Sequence, residues 1–369
     1  MPATPVTAWK NIGVMRGIGI AMVVLNHASM GAFGVLRASP VQQPVSSLAV
    51  LVELLVKGLT PACLPVFLFA SGYFTGRFSS TWKAASSNAW RIVQGYCLWS
   101  IPSFAILVAL GDRVVDRDVV RSFVVGGPWP SYWFLILLVQ LSLVAPVIAR
   151  GITAWPRAAV AVVIVVQCGA TAAGYAAAAG APVVPNHAVV MHLHFFAGGM
   201  IFSSRASSLV PFIIAHRAAI AVVACVLAGV SCAESVWLGH VLGDGSPASW
   251  VYGGERLSLQ SFAVAFIAWL VTLPSSTMTR WRTSLDWIGL RSLAVLLMMD
   301  PCVSWSTRIM WHFEDIMFGS QCSVSLPPEW MMSVGLLPVL FIVGLGVPIA
   351  TFQLVELGFG KRVRAFLFS

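Results

Sequence analysis

Two ionisable residues stand in a stretch that is otherwise built to be apolar. Residues 16–31 read RGIGIAMVVLNHASMG, with Arg16 at the front and His27 eleven positions on. At about 100° per residue, eleven positions fall within about 20° of three full turns, so a helix carries both side chains on one face, about 16 Å apart along its axis. Ionisable groups in hydrocarbon are costly and usually functional. A fixed cation near one mouth and a titratable base deeper in suit a reaction that brings an anionic donor to an acceptor. A neutral imidazole takes a proton from a hydroxyl near neutral pH. A plainer pattern fits the same pair: Arg16 reaching to lipid headgroups, and His27 hydrogen-bonding a neighbouring helix.

Other charged residues invite the same question. Glu53 and Lys57 are four apart in an apolar run, spaced for an ion pair along a helix. Such a pair is either a neutralised structural element or the lining of an acceptor site. Asp300, followed by Pro301, is a lone carboxylate in a late apolar stretch. It could orient His27, bind hydroxyls, or pair with Arg308. Glu53 and Asp300 are read as the only acids deep in apolar runs. His187, His192 and His194 cluster near the start of another run, but no carboxylate or cysteine lies near in sequence, so no metal site is expected.

The elements that must position these residues are membrane helices. The chain has 369 residues, 58% hydrophobic and 9% charged, with mean hydropathy +0.87. An average soluble chain is about one-quarter charged, and no soluble core could hide this much apolar surface. A span needs about 17–25 apolar residues. Ten segments qualify, at roughly 12–35, 47–70, 91–110, 132–149, 158–179, 188–204, 214–238, 257–275, 288–309 and 331–355. The expected architecture is an all-α polytopic bundle of about ten transmembrane helices, forming a single domain over residues 1–369.

The net charge of +9 is explained by where the cations fall. Most Lys and Arg, from Lys10 through Arg150, Arg157, Arg205 and Arg217 to the KRVR run at 361–364, lie between spans on one side. Only Asp286 and Glu356 accompany them, whereas the other side carries mixed loops such as GDRVVDRDVVR. This positive-inside asymmetry predicts both termini in the cytoplasm and gives no reason to invoke nucleic acid. Seven cysteines without a CxxC spacing read as soft packing residues.

Six landmarks, in order, make the chain resemble the membrane-bound acyltransferase-3 family of O-acetyltransferases, the fucose 4-O-acetylase-like and exopolysaccharide type. The first is the Arg16–His27 pair itself. LPVFLFASGYFTGR matches the family's apolar helix ending in Ser-Gly, with Phe67, Ser71 and Gly72. NAWRIVQGY supplies Arg91, while Asn88 stands where the family has a first arginine. SYWFLILLVQL carries Trp133, Phe134 and Leu135, and HLHFFAGGMIF carries Phe195 to Gly199. IGLRSLAVLLMMD keeps Gly289 and Ser292, with Asp300 in place of a late histidine and Leu297 or a neighbour in place of a tyrosine.

The resemblance implies transfer of an acyl group, most often acetyl, from a cytoplasmic thioester to a hydroxyl, commonly on a sugar. Acetyl-CoA would then be a donor substrate rather than a bound cofactor. Arg16 and Arg91 would receive its anionic groups, with Arg77 and Lys83 as helpers or plain membrane anchors. His27 would be the general base, and an acyl-histidine relay remains an alternative. Asn26, Ser71 and the Trp133 indole N–H are candidate donors to the developing oxyanion, each with a packing role as the alternative. The implied acceptor is a surface or exported polysaccharide or its lipid-linked precursor, in a bacterial inner membrane, with polysaccharide-assembly machinery as a partner. A small-molecule acceptor fits the same scaffold. A transporter or glycan flippase is the rival of another class, and would need broken helices and coupling carboxylates in both halves.

Overall fold

The computed structural model describes residues 5–38, 47–78, 81–109, 123, 127–129, 131–178, 188–242, 256–273, 279–318 and 329–368. In chain order the helices among these residues are α1 (Pro5–Ala38), α2 (Ser47–Leu59), α3 (Cys63–Phe78), α4 (Trp82–Ala109), α5 (Trp133–Ala154) and α6 (Pro156–Ala178). They continue as α7 (Val189–Ala215), α8 (Arg217–Leu242), α9 (Leu257–Val271), α10 (Thr279–Leu290), α11 (Ser292–Phe318) and α12 (Glu329–Phe368). Among the described residues the protein is an all-helical, polytopic membrane bundle: eight helical spans are long and apolar enough to cross a bilayer, and a bent pair makes nine. The expected span at 257–275 is α9, whose 15 residues rise about 22 Å, short of the roughly 30 Å of hydrocarbon in a bilayer.

Two expected spans are broken. The run beginning at residue 47 continues to Arg77 as one span, interrupted by a 3₁₀ turn over Thr60–Ala62 that contains Pro61. The expected span 288–309 is not one straight helix. Residues 281–290 and 292–307 meet at 81°, with Arg291 at the corner. Its guanidinium stacks on Trp287 at 3.9 Å and Phe352 at 4.9 Å, and comes within 4.0 Å of Glu356. Flat cation–aromatic stacking gives this cation an apolar setting it can occupy without full hydration.

Helix α1 lies at the centre, with 61% of its apolar window buried against 17% for α6 and for α8, which face outward. Without a hydrophobic drive inside lipid, helices associate by close backbone contact at small residues. Helix α3 packs most extensively on α7, and α1 on α10. A Cβ added to Gly72 would lie 1.9 Å from the Phe196 carbonyl oxygen, and one on Gly199 would lie 2.1 Å from that of Phe69. The α1–α10 crossing repeats the device, since a Cβ on Gly289 would lie 2.1 Å from the carbonyl oxygen of Gly13. The glycines of the SG and IGL landmarks are therefore packing residues, the first closing α3 on α7 and the second α10 on α1.

Gly199→Ala must force α3 and α7 apart, at a cost of about 3 kcal/mol, the upper range for overpacking. The expected result is a fall of roughly 5 °C in the apparent Tm of the detergent-solubilised protein. Gly198→Ala, whose Cβ meets nothing within 4 Å, should leave the Tm unchanged.

Candidate functional site

The polar face of α1 meets two separate environments, one at each end. At the Arg16 end the guanidinium Nη2 donates to Ser292 Oγ at 2.8 Å and lies 5.8 Å from the Phe74 ring centroid. Ser292 is the first residue after the 81° corner, so the bend delivers that hydroxyl to α1. Asn11 anchors this end further. Its amide donates to the carbonyls of Val271 at 2.5 Å and Leu273 at 3.1 Å, and its oxygen accepts from Arg282.

Beside Arg16 is a cavity of about 310 Å³. Its polar wall includes Arg16, Ser71, Asn88, Arg91, Ser142 and Ser292, and its apolar wall includes Phe67, Phe74, Phe134 and Phe196. Arg16 and Arg91, expected to receive the donor's anionic groups, thus share one cavity with Ser71, a candidate oxyanion donor. Asn88 lies on the same wall and donates to Ser142 Oγ at 2.9 Å. The position where the family has a further arginine is a cavity position, and here it carries no charge. Guanidinium groups beside aromatic walls suit a ligand that is anionic at one end and slender and apolar at the other.

At the other end, His27 Nδ1 lies 2.8 Å from Asp300 Oδ1. Asp300 Oδ2 accepts the Ser131 backbone N–H at 2.8 Å. Of the alternatives for Asp300, contact with His27 is the one found; the side chain of Arg308 lies outside the described residues. The His27 side chain keeps 16% of its surface exposed, against 3% for Asp300, so the imidazole retains an open edge while the carboxylate is enclosed. With Nδ1–H donating to the carboxylate, Nε2 carries the free lone pair. The pair can therefore accept a proton from a hydroxyl presented at Nε2.

The remaining candidates are dispersed. Asn26 Oδ1 lies 2.9 Å from the Thr60 hydroxyl, and Ser29 Oγ donates to the Asn26 carbonyl at 2.7 Å; both contacts tie α1 to the 3₁₀ turn or to itself. Trp133 stacks on His192 with ring centroids 5.8 Å apart and is not among the residues lining the cavity. Glu53 and Lys57 form the spaced pair, Nζ to Oε1 at 2.6 Å. His187 lies outside the described residues. Among the described residues no group of three metal-ligating side chains occurs. Glu234, which the sequence reading passed over, lies within the candidate span Arg217–Leu238. It accepts hydrogen bonds from Tyr175 and Ser258.

The sequence reading also left Ser131, Ser142 and Ser292 without roles. Ser292 and Ser131 sit beside recognised landmarks, in IGLRS and SYWFL, but the group that Ser131 contributes is a backbone N–H, which leaves no side-chain signal.

The model of the family described as an acyltransferase domain matches residues 9–352. No curated protein and no solved structure matches the chain significantly. With nearly its whole length covered, the chain belongs to the acyltransferase-3 family, and it is a multi-pass integral membrane acyltransferase that acylates oxygen.

The Glu53–Lys57 pair has a separable role. Glu53→Gln removes the carboxylate that Lys57 binds and should lower stability by about 3 kcal/mol, read as a drop in apparent Tm. Adding Lys57→Met should recover most of that drop. Full acyl-transfer activity in the double variant marks the pair as structural, and loss despite recovered Tm marks it as part of an acceptor site.

Proposed function

We propose that this acyltransferase moves an acetyl group from acetyl-CoA to a sugar hydroxyl of a surface or exported polysaccharide, or of its lipid-linked precursor, with His27 as general base. The observation that carries this reading is the His27–Asp300 contact at 2.8 Å, on the same helix face as Arg16 in its cavity. The donor enters at the Arg16 end, which the positive-inside charge pattern makes the cytoplasmic face of a bacterial inner membrane.

In this mechanism Arg16 and Arg91 bind the anionic groups of CoA, because guanidinium forks match phosphate oxygens. The pantetheine arm then extends along α1 for about 16 Å toward His27. His27 Nε2 accepts the proton of the acceptor hydroxyl as its oxygen attacks the thioester carbonyl. The new C–O bond forms, the C–S bond breaks, and the imidazolium returns the proton to the departing thiolate. Asp300 holds Nδ1–H, fixing the tautomer and supporting the transient cation. The acceptor approaches the exposed edge of His27 from the opposite membrane face.

The test is a gene deletion restored with wild type or with His27→Ala, followed by measurement of ester-linked acetate on exported glycans. Deletion and His27→Ala should both abolish it, with transfer in isolated membranes falling about 10³-fold. Arg91→Ala should instead raise the KM for acetyl-CoA about tenfold or more, the scale of one charge-assisted hydrogen bond. Normal acetylation by a stably expressed His27→Ala protein refutes the mechanism.

A further inference from the structure

The His27–Asp300 contact depends on how α11 is held, and a neighbouring residue holds it in an unusual way. Asp300 precedes Pro301, which lies inside α11. Proline has no N–H, so the carbonyl of Leu297, four residues back, loses its helical donor. An unpaired backbone carbonyl in hydrocarbon has no water to bond and is strongly disfavoured. Tyr132 makes up the loss: its hydroxyl donates to the Leu297 oxygen at 2.5 Å, from a side chain that is 0% exposed. The residue before it, Ser131, donates its N–H to Asp300 Oδ2.

Two adjacent residues therefore grip α11 at positions 297 and 300, which share one face of the helix. The grip is anchored to α5, because Phe134 N–H donates to the Ser131 carbonyl at 3.2 Å and Leu135 N–H to that of Tyr132 at 3.0 Å. From the other side Tyr96 packs edge-on against Tyr132, with ring centroids 6.2 Å apart, and its hydroxyl donates to the Phe123 carbonyl. The Ser131 N–H reaches Asp300 Oδ2 at 2.8 Å, so the backbone itself takes part in the grip on the carboxylate. If α11 slid by one residue, both bonds would be lost at once.

We propose that Tyr132 is a positioning residue: by occupying the carbonyl that Pro301 frees, it sets α11 where the Ser131 amide and His27 Nδ1 engage the two oxygens of Asp300. This rests on the proposed base role of His27. A tyrosine that only stabilises the fold would affect every variant equally. One that acts through Asp300 has nothing left to position once that carboxylate is gone.

The experiment is a double-mutant cycle in isolated membranes, with acyl transfer normalised to the amount of full-length protein. Tyr132→Phe keeps the ring and removes the donor. It should lower kcat about tenfold, the scale of a sub-ångström to ångström misplacement, with the KM for acetyl-CoA unchanged within about twofold. Asp300→Asn alone should lose more than about tenfold, and Tyr132→Phe added to it should cost less than about twofold further. An undiminished tenfold cost in the Asp300→Asn background, or a matching rise in KM, overturns the proposal while leaving the base reading intact. Full activity of Asp300→Asn overturns the supporting role of Asp300 and the positioning role with it, while the base reading stands or falls separately on His27→Ala. Should Tyr132→Phe fail to accumulate, adding Pro301→Ala returns an N–H to the Leu297 carbonyl, and the double variant is read by the same cycle.

Discussion

A carboxylate enclosed in hydrocarbon must have both oxygens occupied or be expelled, and Asp300 imposes that demand on three parts of the chain. Its helix, α11, supplies the residue, α1 supplies His27, and the segment leading into α5 supplies the Ser131 N–H. A buried pair of this sort adds little net stability, because desolvation offsets most of the attraction. Its effect is on specificity. Any slide or rotation of α1, α5 or α11 leaves a charge or a dipole without a partner, so arrangements that pack equally well are penalised. The same economy governs the Leu297 carbonyl, which a proline has stripped of its donor and a tyrosine satisfies.

Helix α1 is strung between this site and a second anchorage at its other end. There Asn11 binds the carbonyls at the end of α9, and Arg16 binds Ser292 just past the α10–α11 corner. Both anchors engage the chain from Val271 to Asp300. The distance between a cavity lined by guanidinium groups and an enclosed His–Asp pair is thereby fixed by eleven residues of helix rise rather than by a flexible loop. Glycine crossings at Gly72–Gly199 and Gly13–Gly289 bring the backbones close enough for these short side chains to reach. Elsewhere in the spans, polar groups are matched locally. Glu234 accepts from Tyr175 and Ser258, and fully buried Arg256 donates to the carbonyls of Ser231 and Gly58.

Two of the departures from the family pattern fall at the two ends of α1. Asn88, uncharged where the family has an arginine, sits on the cavity wall and binds Ser142. Asp300, a carboxylate where the family has a histidine, faces His27. The first leaves Arg16 and Arg91 as the guanidinium groups of the cavity wall. The second places an acceptor for Nδ1–H beside the histidine of α1. Neither departure disturbs the glycine crossings, which is why the helix arrangement and the chemistry of its ends can vary separately.

Sequence alone determined what depends on local properties. Transfer of apolar residues out of water marked the spans, and helical periodicity placed Arg16 and His27 on one face. The order of landmarks brought Arg16, Ser71 and Arg91 together before any contact was seen. The i,i+4 spacing of Glu53 and Lys57 marked their ion pair for the same reason. The tertiary structure decided what depends on which helices touch. It set Asp300 against His27, turned Trp133 toward His192 instead of the cavity, and broke the expected span 288–309 into an 81° corner that delivers Ser292. The Ser131 amide and the Leu297 carbonyl could not be read from residue types at all. Every residue but proline carries a backbone donor, and only the approach of a distant helix selects the one that will be used.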